Sequence, residues 1–178
     1  MLTVIETPLP EVALIRAAQG GDRAAFGKLY EQYERLIHGI LLAHVAYEDA
    51  EDLMQDVFVK ALQQLPNLRE PAALCSWLIA IARRIATDHR RSRKPVTPLD
   101  LVPVRAIRLD PEPEPLALLA TIRRLPEAYR ETIILRFVEG MTGPEIAART
   151  GLTPDSVRVN LCRGVKLLRV YLKEREKV

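Results

Sequence analysis

Ser156, Arg158, Asn160, Arg163 and Lys166 recur through 156-SVRVNLCRGVK-166 at spacings that gather them on one side of a helix, opposite Val157, Leu161 and Val165. Arg and Asn can each form paired hydrogen bonds to guanine or adenine edges, and Lys and Ser suit phosphate oxygens. With Thr153 and Val159, this is the kind of surface a helix presents when it lies in a DNA groove. A second set runs through 76-SWLIAIARRIATDHRRSRK-94, where Arg83, Arg84, Arg90, Arg91, Arg93 and Lys94 face one acid, Asp88, with Thr87 among them. One or two cations near a helix C-terminus complement its dipole. The rest exceed that need and make a footprint for a phosphate backbone.

A third set has the opposite sign. In 48-EDAEDLMQDVFVK-60 the acids Glu48, Asp49, Glu51, Asp52 and Asp56 meet no base before Lys60, and Gln55 and Val59 lie among them. Like charges at helical spacing repel modestly, so the face is expected to meet a basic partner, and a protein rather than a nucleic acid. Catalytic chemistry has no comparable support. His38, His44 and His89 are scattered, and no paired carboxylates, metal-ligand cluster or nucleophile–base set stands out. The reading is a non-enzyme without a cofactor. Cys75 and Cys162 have no CxxC or metal-ligand spacing and read as small hydrophobes.

The elements that must position these sets read as helices almost throughout. Residues 11–19 carry an apolar face and stop at Gly20-Gly21, after which Asp22 is a good N-cap for a long helix to about Val45. A third helix covers roughly 48–65, with Leu53, Val57 and Ala61 as its apolar stripe and Met54, Phe58 and Leu62 beside it. A fourth begins near Pro71 and turns Trp77, Ile81 and Ile85 inward. Between 95 and 115, Pro95, Pro98, Pro103, Pro111, Pro113 and Pro115 forbid a continuous helix.

Helical periodicity resumes at Leu116. In 125-LPEAYRETIILRFVEG-140, Tyr129, Ile133, Ile134, Phe137 and Val138 supply a small core. In 143-GPEIAARTGLTPDSV-157, Ile146 and Ala147 face inward, Gly151 supplies a tight turn with Leu152 as an apolar plug beneath it, and Thr153 caps a second helix. That is the pattern of a helix-turn-helix. The expected architecture is all-α: a flexible N-terminus (1–10), an N-terminal helix bundle (11–94), a Pro-rich linker (95–115) and a C-terminal helix-turn-helix domain (116–178).

Bulk properties agree with a soluble globular protein. The 178 residues are 48% hydrophobic and 28% charged, with a net charge of +3. The segment MLTVIETPLPEVAL lacks a basic leader, and no apolar run suffices for a bilayer span, so a cytoplasmic protein without membrane insertion is expected.

Taken in order, AFGKLYEQY, AEDLMQDVFVKAL, WLIAIARRIATDHRRSRK, LPEAYRETIILRFVEGMTGPEIAARTGL and SVRVNLCRGVKLLR resemble bacterial extracytoplasmic-function (ECF) sigma factors of the sigma-70 family. The resemblance implies that Glu51, Asp52, Gln55, Asp56 and Val59 dock on the clamp helices of the largest subunit of core RNA polymerase. It implies that the loop 65–72, with Asn67 and Arg69, and the helix carrying Arg83, Arg84, Thr87, Asp88, Arg90 and Arg91 capture the opened minus-ten element of promoter DNA. Thr153, Ser156, Arg158, Val159, Asn160, Arg163 and Lys166 would read the minus-thirty-five duplex, with the polymerase flap as a second docking point. An anti-sigma factor is an implied partner. Val159 and Asn160 depart from the small polar and basic residues more usual there. The alternative is a conventional helix-turn-helix regulator that never becomes a polymerase subunit, binding pseudo-palindromic duplex sites as a dimer.

Overall fold

The computed structural model describes residues 10–92 and 114–175. Residues 1–9 of the expected flexible N-terminus and nearly all of the Pro-rich segment lie outside the described residues, and Pro10 opens the first helix. The elements are α1 (Pro10–Gln19), α2 (Arg23–Leu42), α3 (Tyr47–Gln64), two short 3-10 turns (Leu65–Asn67 and Pro71–Ala73), α4 (Leu74–Ser92), α5 (Glu114–Arg123), α6 (Glu127–Phe137), α7 (Gly143–Thr150) and α8 (Pro154–Arg175). No strand occurs among the described residues, and no helix there is long and apolar enough to cross a membrane.

Local chemistry sets the helix ends. Asp22 Oδ1 accepts from the Ala24 and Ala25 amides at 2.8 and 3.1 Å, satisfying two donors that the first turn of α2 leaves free. Ala46, at the start of α3, offers no side-chain cap. There Glu48 and Asp49 sit in the first turn, where negative charge offsets the positive end of the helix. Two of the five acids thus have a structural role. Thr142 and Glu145 form a reciprocal capping box on α7, which holds the Glu145 carboxyl below its ordinary pKa. Gly151 ends α7 in the left-handed region at φ 74°, where a side chain would be strained.

α2 is the central post. Its Ile37, Ile40, Leu41 and Leu42 are wholly buried, with α1, α3 and α4 packed around it. α6 plays the same part among α5, α7 and α8, and it also lies directly on α2. Five consecutive α6 residues, Glu131 to Leu135, are buried. A helix buried on opposite sides has no single apolar stripe, and α6 is clasped between α2 and α8. The two halves therefore share one continuous apolar core rather than standing apart.

Expectations for four apolar residues fail for packing reasons. Phe137 and Val138, at the end of α6, are 63% and 46% exposed because the chain turns away towards α7 before anything covers them. Leu62 is 47% exposed because it falls on the outer side of α3 with Val59, while Ala61 and Leu65 turn into the core. Leu152 is exposed, while Ile146 and Val157 on the flanking helices are buried.

Ile40→Ala, which empties a fully enclosed site, is expected to cost about 2–5 kcal/mol, whereas Leu118→Ala on the exposed side of α5 should fall within about 0.5 kcal/mol. Denaturant unfolding monitored by helical circular dichroism measures both.

Candidate nucleic-acid and polymerase interfaces

The acidic set occupies the outer side of α3. Glu51, Asp52, Gln55 and Asp56 are exposed, and Val59 is 56% exposed among them. The inner side of the same helix, Leu53, Val57 and Ala61, is buried, so the helix keeps its acids in water. Asp49, nearest α4, meets His89 Nε2 at 3.3 Å.

The basic set extends along α4. Arg84, Arg90 and Arg91 are exposed, and Arg84 reaches Asp88 at 3.9 Å within the helix. Both side chains of that pair are well exposed, so the contact contributes little to stability. The Thr87 hydroxyl donates to the Arg83 carbonyl at 2.8 Å. Asn67 and Arg69 are exposed on the loop before α4. That loop is braced from α1, because Gln19 Nε2 donates to the Leu65 and Leu68 carbonyls at 3.0 and 2.7 Å.

Arg83 stands apart from the other cations. Its Nε and Nη2 donate to Glu131 Oε1 and Oε2 at 3.0 and 2.6 Å, a fork onto a buried carboxylate of α6. His44 Nε2 meets the same carboxylate at 2.7 Å. Burial alone would raise the Glu131 pKa, but His44 and Arg83 together hold it below the usual range. In turn the hydrogen bond to Glu131 raises the Arg83 pKa. His44, Glu127 and Glu131 bring possible ligand atoms within 4.8 Å of one another. With both Glu131 oxygens taken by Arg83, this cluster is organised as an ion-pair site rather than as a metal seat.

On the C-terminal half, α7 and α8 cross about Gly151, and Thr153 Oγ1 accepts from the Ser156 amide at 3.1 Å as the N-cap of α8. Val157 is buried, with Leu161 and Val165 half-buried on the inner side. Arg158, Val159, Arg163 and Lys166 are exposed on the outer side. Asn160 is half-buried and helps line a cleft of about 510 Å³ that Arg83 also lines. Arg158 meets Asp155 at 3.4 Å, both well exposed.

A Sigma-70 region 2 model matches residues 29–96 and a Sigma-70 region 4 model matches residues 116–168. SigV, an RNA polymerase sigma factor of Bacillus subtilis, is 31% identical over 72% of this chain and 79% of its own. The chain belongs to the sigma-70 family of RNA polymerase sigma factors. Within that family its relatives are ECF sigma factors. BldN of Streptomyces coelicolor is 30% identical over 87% of this chain, although the chain spans only 63% of BldN's length. The sigma-E factor of Haemophilus influenzae is 28% identical over 90% of this chain and 94% of its own. In structure, CnrH in complex with the cytosolic domain of CnrY superposes with a TM-score of 0.59 at 28% identity, covering 92% of this chain and 97% of that one. Sigma factors are transcription initiation factors that bind core RNA polymerase and promoter DNA; they are not enzymes.

The residues that sequence reasoning missed in this sigma factor are those that close one half onto the other. Besides Glu131, they include Glu139, whose carboxylate meets His38 Nδ1 at 2.9 Å and Arg35 Nε at 4.0 Å. The Arg35 guanidinium also donates to the Glu139 carbonyl. Cys75 donates its S–H to the Arg149 carbonyl at 3.2 Å, and the Arg149 guanidinium lies 4.9 Å over the Tyr33 ring. Burial raises the Cys75 pKa, which keeps it a thiol. One signal was available beforehand: Glu131 comes just before the apolar run Ile133-Ile134-Leu135, and a charge carried into the core with that run needs a partner.

Because the Glu131 pKa is lowered by folding, its contribution is fully present above the unfolded carboxylate value of about 4.3 and is lost as pH falls through the depressed folded value. Glu131→Gln should cost on the order of 2 kcal/mol near pH 7. The gap from wild type should close progressively in acid, as followed by thermal unfolding across a pH series.

Proposed function

We propose that this chain joins core RNA polymerase as a promoter-specificity subunit in the cytoplasm, with residues 11–94 acting as the region 2 domain and 116–178 as the region 4 domain. The observation that carries this is the separation of charge on one half: an exposed acidic side on α3 and an exposed basic side on α4, within the segment that the region 2 model matches. Glu51, Asp52, Gln55, Asp56 and Val59 would dock on the clamp helices of the largest subunit, where Val59 adds apolar contact at the centre of a polar face. Arg84, Arg90 and Arg91 would follow the phosphates of the opened minus-ten strand. Asn67, Arg69, Arg83, Thr87 and Asp88 would line the site where a base leaves the stack. Unstacking costs a few kcal/mol, which the backbone contacts offset.

α8 would lie in the major groove of the minus-thirty-five element. Arg158 and Arg163 would address base edges, and Thr153, Ser156 and Lys166 the phosphates, with Val159 and Asn160 between them. The polymerase flap would support this half from behind. An anti-sigma factor is the fitting regulator, supported by the likeness to CnrH, which was solved with the cytosolic domain of CnrY.

Transcription in vitro with sigma-free core enzyme on a genomic library tests the role directly: promoter-specific transcripts are expected with the chain and none without it. A conventional regulator would instead bind duplex sites tightly without polymerase and give no transcript.

Two substitution experiments resolve the faces. Reversing charge at Asp52 and Asp56 to Lys should reduce core-polymerase affinity by at least tenfold while leaving binding to duplex DNA unchanged, measured by fluorescence anisotropy. Arg158→Ala should cost about 1–3 kcal/mol against a cognate minus-thirty-five duplex and relax preference at one base position, whereas Arg91→Ala should weaken binding to single strands of any sequence and flatten its salt dependence.

A further inference from the structure

Asn67 and Arg69, assigned above to the site where a base leaves the stack, stand on a loop with little support of its own. Leu65 and Pro71 are buried and Leu68 is half-buried, so the exposed residues Pro66, Asn67, Arg69 and Glu70 ride on apolar anchors. Neither of the two short 3-10 turns has a side-chain cap. Within the loop the Leu68 amide donates to the Leu65 carbonyl at 3.0 Å. Burial of the anchors fixes where the loop lies. It does not fix which way the peptide planes that bracket Pro66-Asn67-Leu68 face, and those planes set where Asn67 and Arg69 point.

Gln19 supplies that constraint. Its Nε2 donates to the Leu65 and Leu68 carbonyls at 3.0 and 2.7 Å, one before Pro66 and the other beyond Asn67. Pro66, whose ring fixes φ, carries the first constraint directly to Asn67. An amide nitrogen has two hydrogens, and both are engaged here. The amide oxygen accepts from Arg16 Nη1 at 3.3 Å, which sets the orientation of the group. The Gln19 side chain has no donor left for a base or a phosphate, so its influence on DNA passes through the loop.

α1 is anchored so that this reach is reproducible. It packs on α2 and on both short turns, with Ile15 and Ala18 buried. Near its start Glu11 accepts from the Gln32 amide at 2.9 Å and from the Tyr33 hydroxyl. Directly after Gln19 the helix stops at Gly20-Gly21, with Gly21 at φ 95°.

Selectivity and affinity then have different sources. The cations of α4 attract phosphates whatever the sequence, and that attraction carries the salt dependence. An unstacked base is told from its rivals by hydrogen bonds at its edge. A wrong base is penalised only where the reading groups cannot move to suit it. A loop free to rotate its peptide planes suits several bases; a loop with both planes pinned suits one.

Resting on the sigma-factor reading above, we propose that Gln19 is a positioning residue for minus-ten recognition, pinning the loop of Asn67 and Arg69 so that base choice depends on it while the general hold on the strand does not.

The test uses the full chain. Gln19→Met keeps the length of the side chain and removes both donors, whereas Gln19→Lys restores N–H donors at similar reach. Ile40→Val trims a buried side chain that takes no part in the brace and controls for lost stability. Hydrogen–deuterium exchange of the free chain follows the amides of residues 65–72. Base preference is read by sequencing the fluorescein-labelled single-stranded 20-mers, randomised over six bases, that the chain retains when assembled with core RNA polymerase. Gln19→Met is expected to speed exchange across 65–72 about tenfold. It should lower enrichment of the preferred base at one position about threefold, leaving binding of unenriched sequences and its salt slope within about twofold of wild type. Gln19→Lys should recover most of the enrichment, since its added charge acts on all sequences alike; Ile40→Val should change neither readout. Unaltered exchange in Gln19→Met, faster exchange with full base preference, or equal losses in Gln19→Met and Ile40→Val each overturn the proposal. A wild-type assembly with no base preference overturns the strand-capture reading and the proposal together, and is distinguished by the wild-type arm alone.

Discussion

The fold turns on one carboxylate. Glu131 is buried on a helix that has apolar packing on opposite sides, and an unpaired charge there would be prohibitive. Its partners, His44 and Arg83, both come from the other half of the chain. Satisfying this charge therefore requires the halves to meet in a single register, with α6 laid along α2 over Gly39. Glu139 repeats the device at the far end of the contact. Two buried acids thus set an orientation that the apolar residues between them could not set alone, because Leu135, Ile37 and Ile40 would tolerate sliding and carboxylate forks do not.

Charge is partitioned with similar economy in the N-terminal half. α3 and α4 pack on the same post yet carry opposite signs outward, and Asp49 of α3 meets His89 of α4 at 3.3 Å where the two helices adjoin. The remaining acids on α3 and the cations near the end of α4 stay in water. Such a surface attracts a basic protein and a polyanion to different sides of one small bundle, which suits a subunit held between an enzyme and its template.

How much of this was legible in the sequence follows from the range of the interactions involved. Helix positions, the Asp22 cap, the Gly151 turn and the Thr153 cap depend on neighbours within four residues, and the structure shows each where the spacing placed it. The outward setting of Glu51, Asp52 and Asp56 followed from periodicity alone. What did not follow was the docking of the two halves, since Glu131 and Arg83 are 48 residues apart and His44 lies 87 from Glu131. The proline-rich stretch suggested separation, and proline chemistry says nothing about contacts elsewhere. Phe137, Val138 and Leu62 were misplaced for a related reason: apolar type predicts burial only where the side chain faces a neighbour that covers it.

Gln19 lies on α1, upstream of the segment that the region 2 model matches, yet its amide ties down two carbonyls of the loop that precedes α4. The opening helix is thus a strut for a distant turn. Trimmed to the matched segment, the N-terminal half would keep the arginines of α4 while losing the brace that sets the loop carrying Asn67 and Arg69.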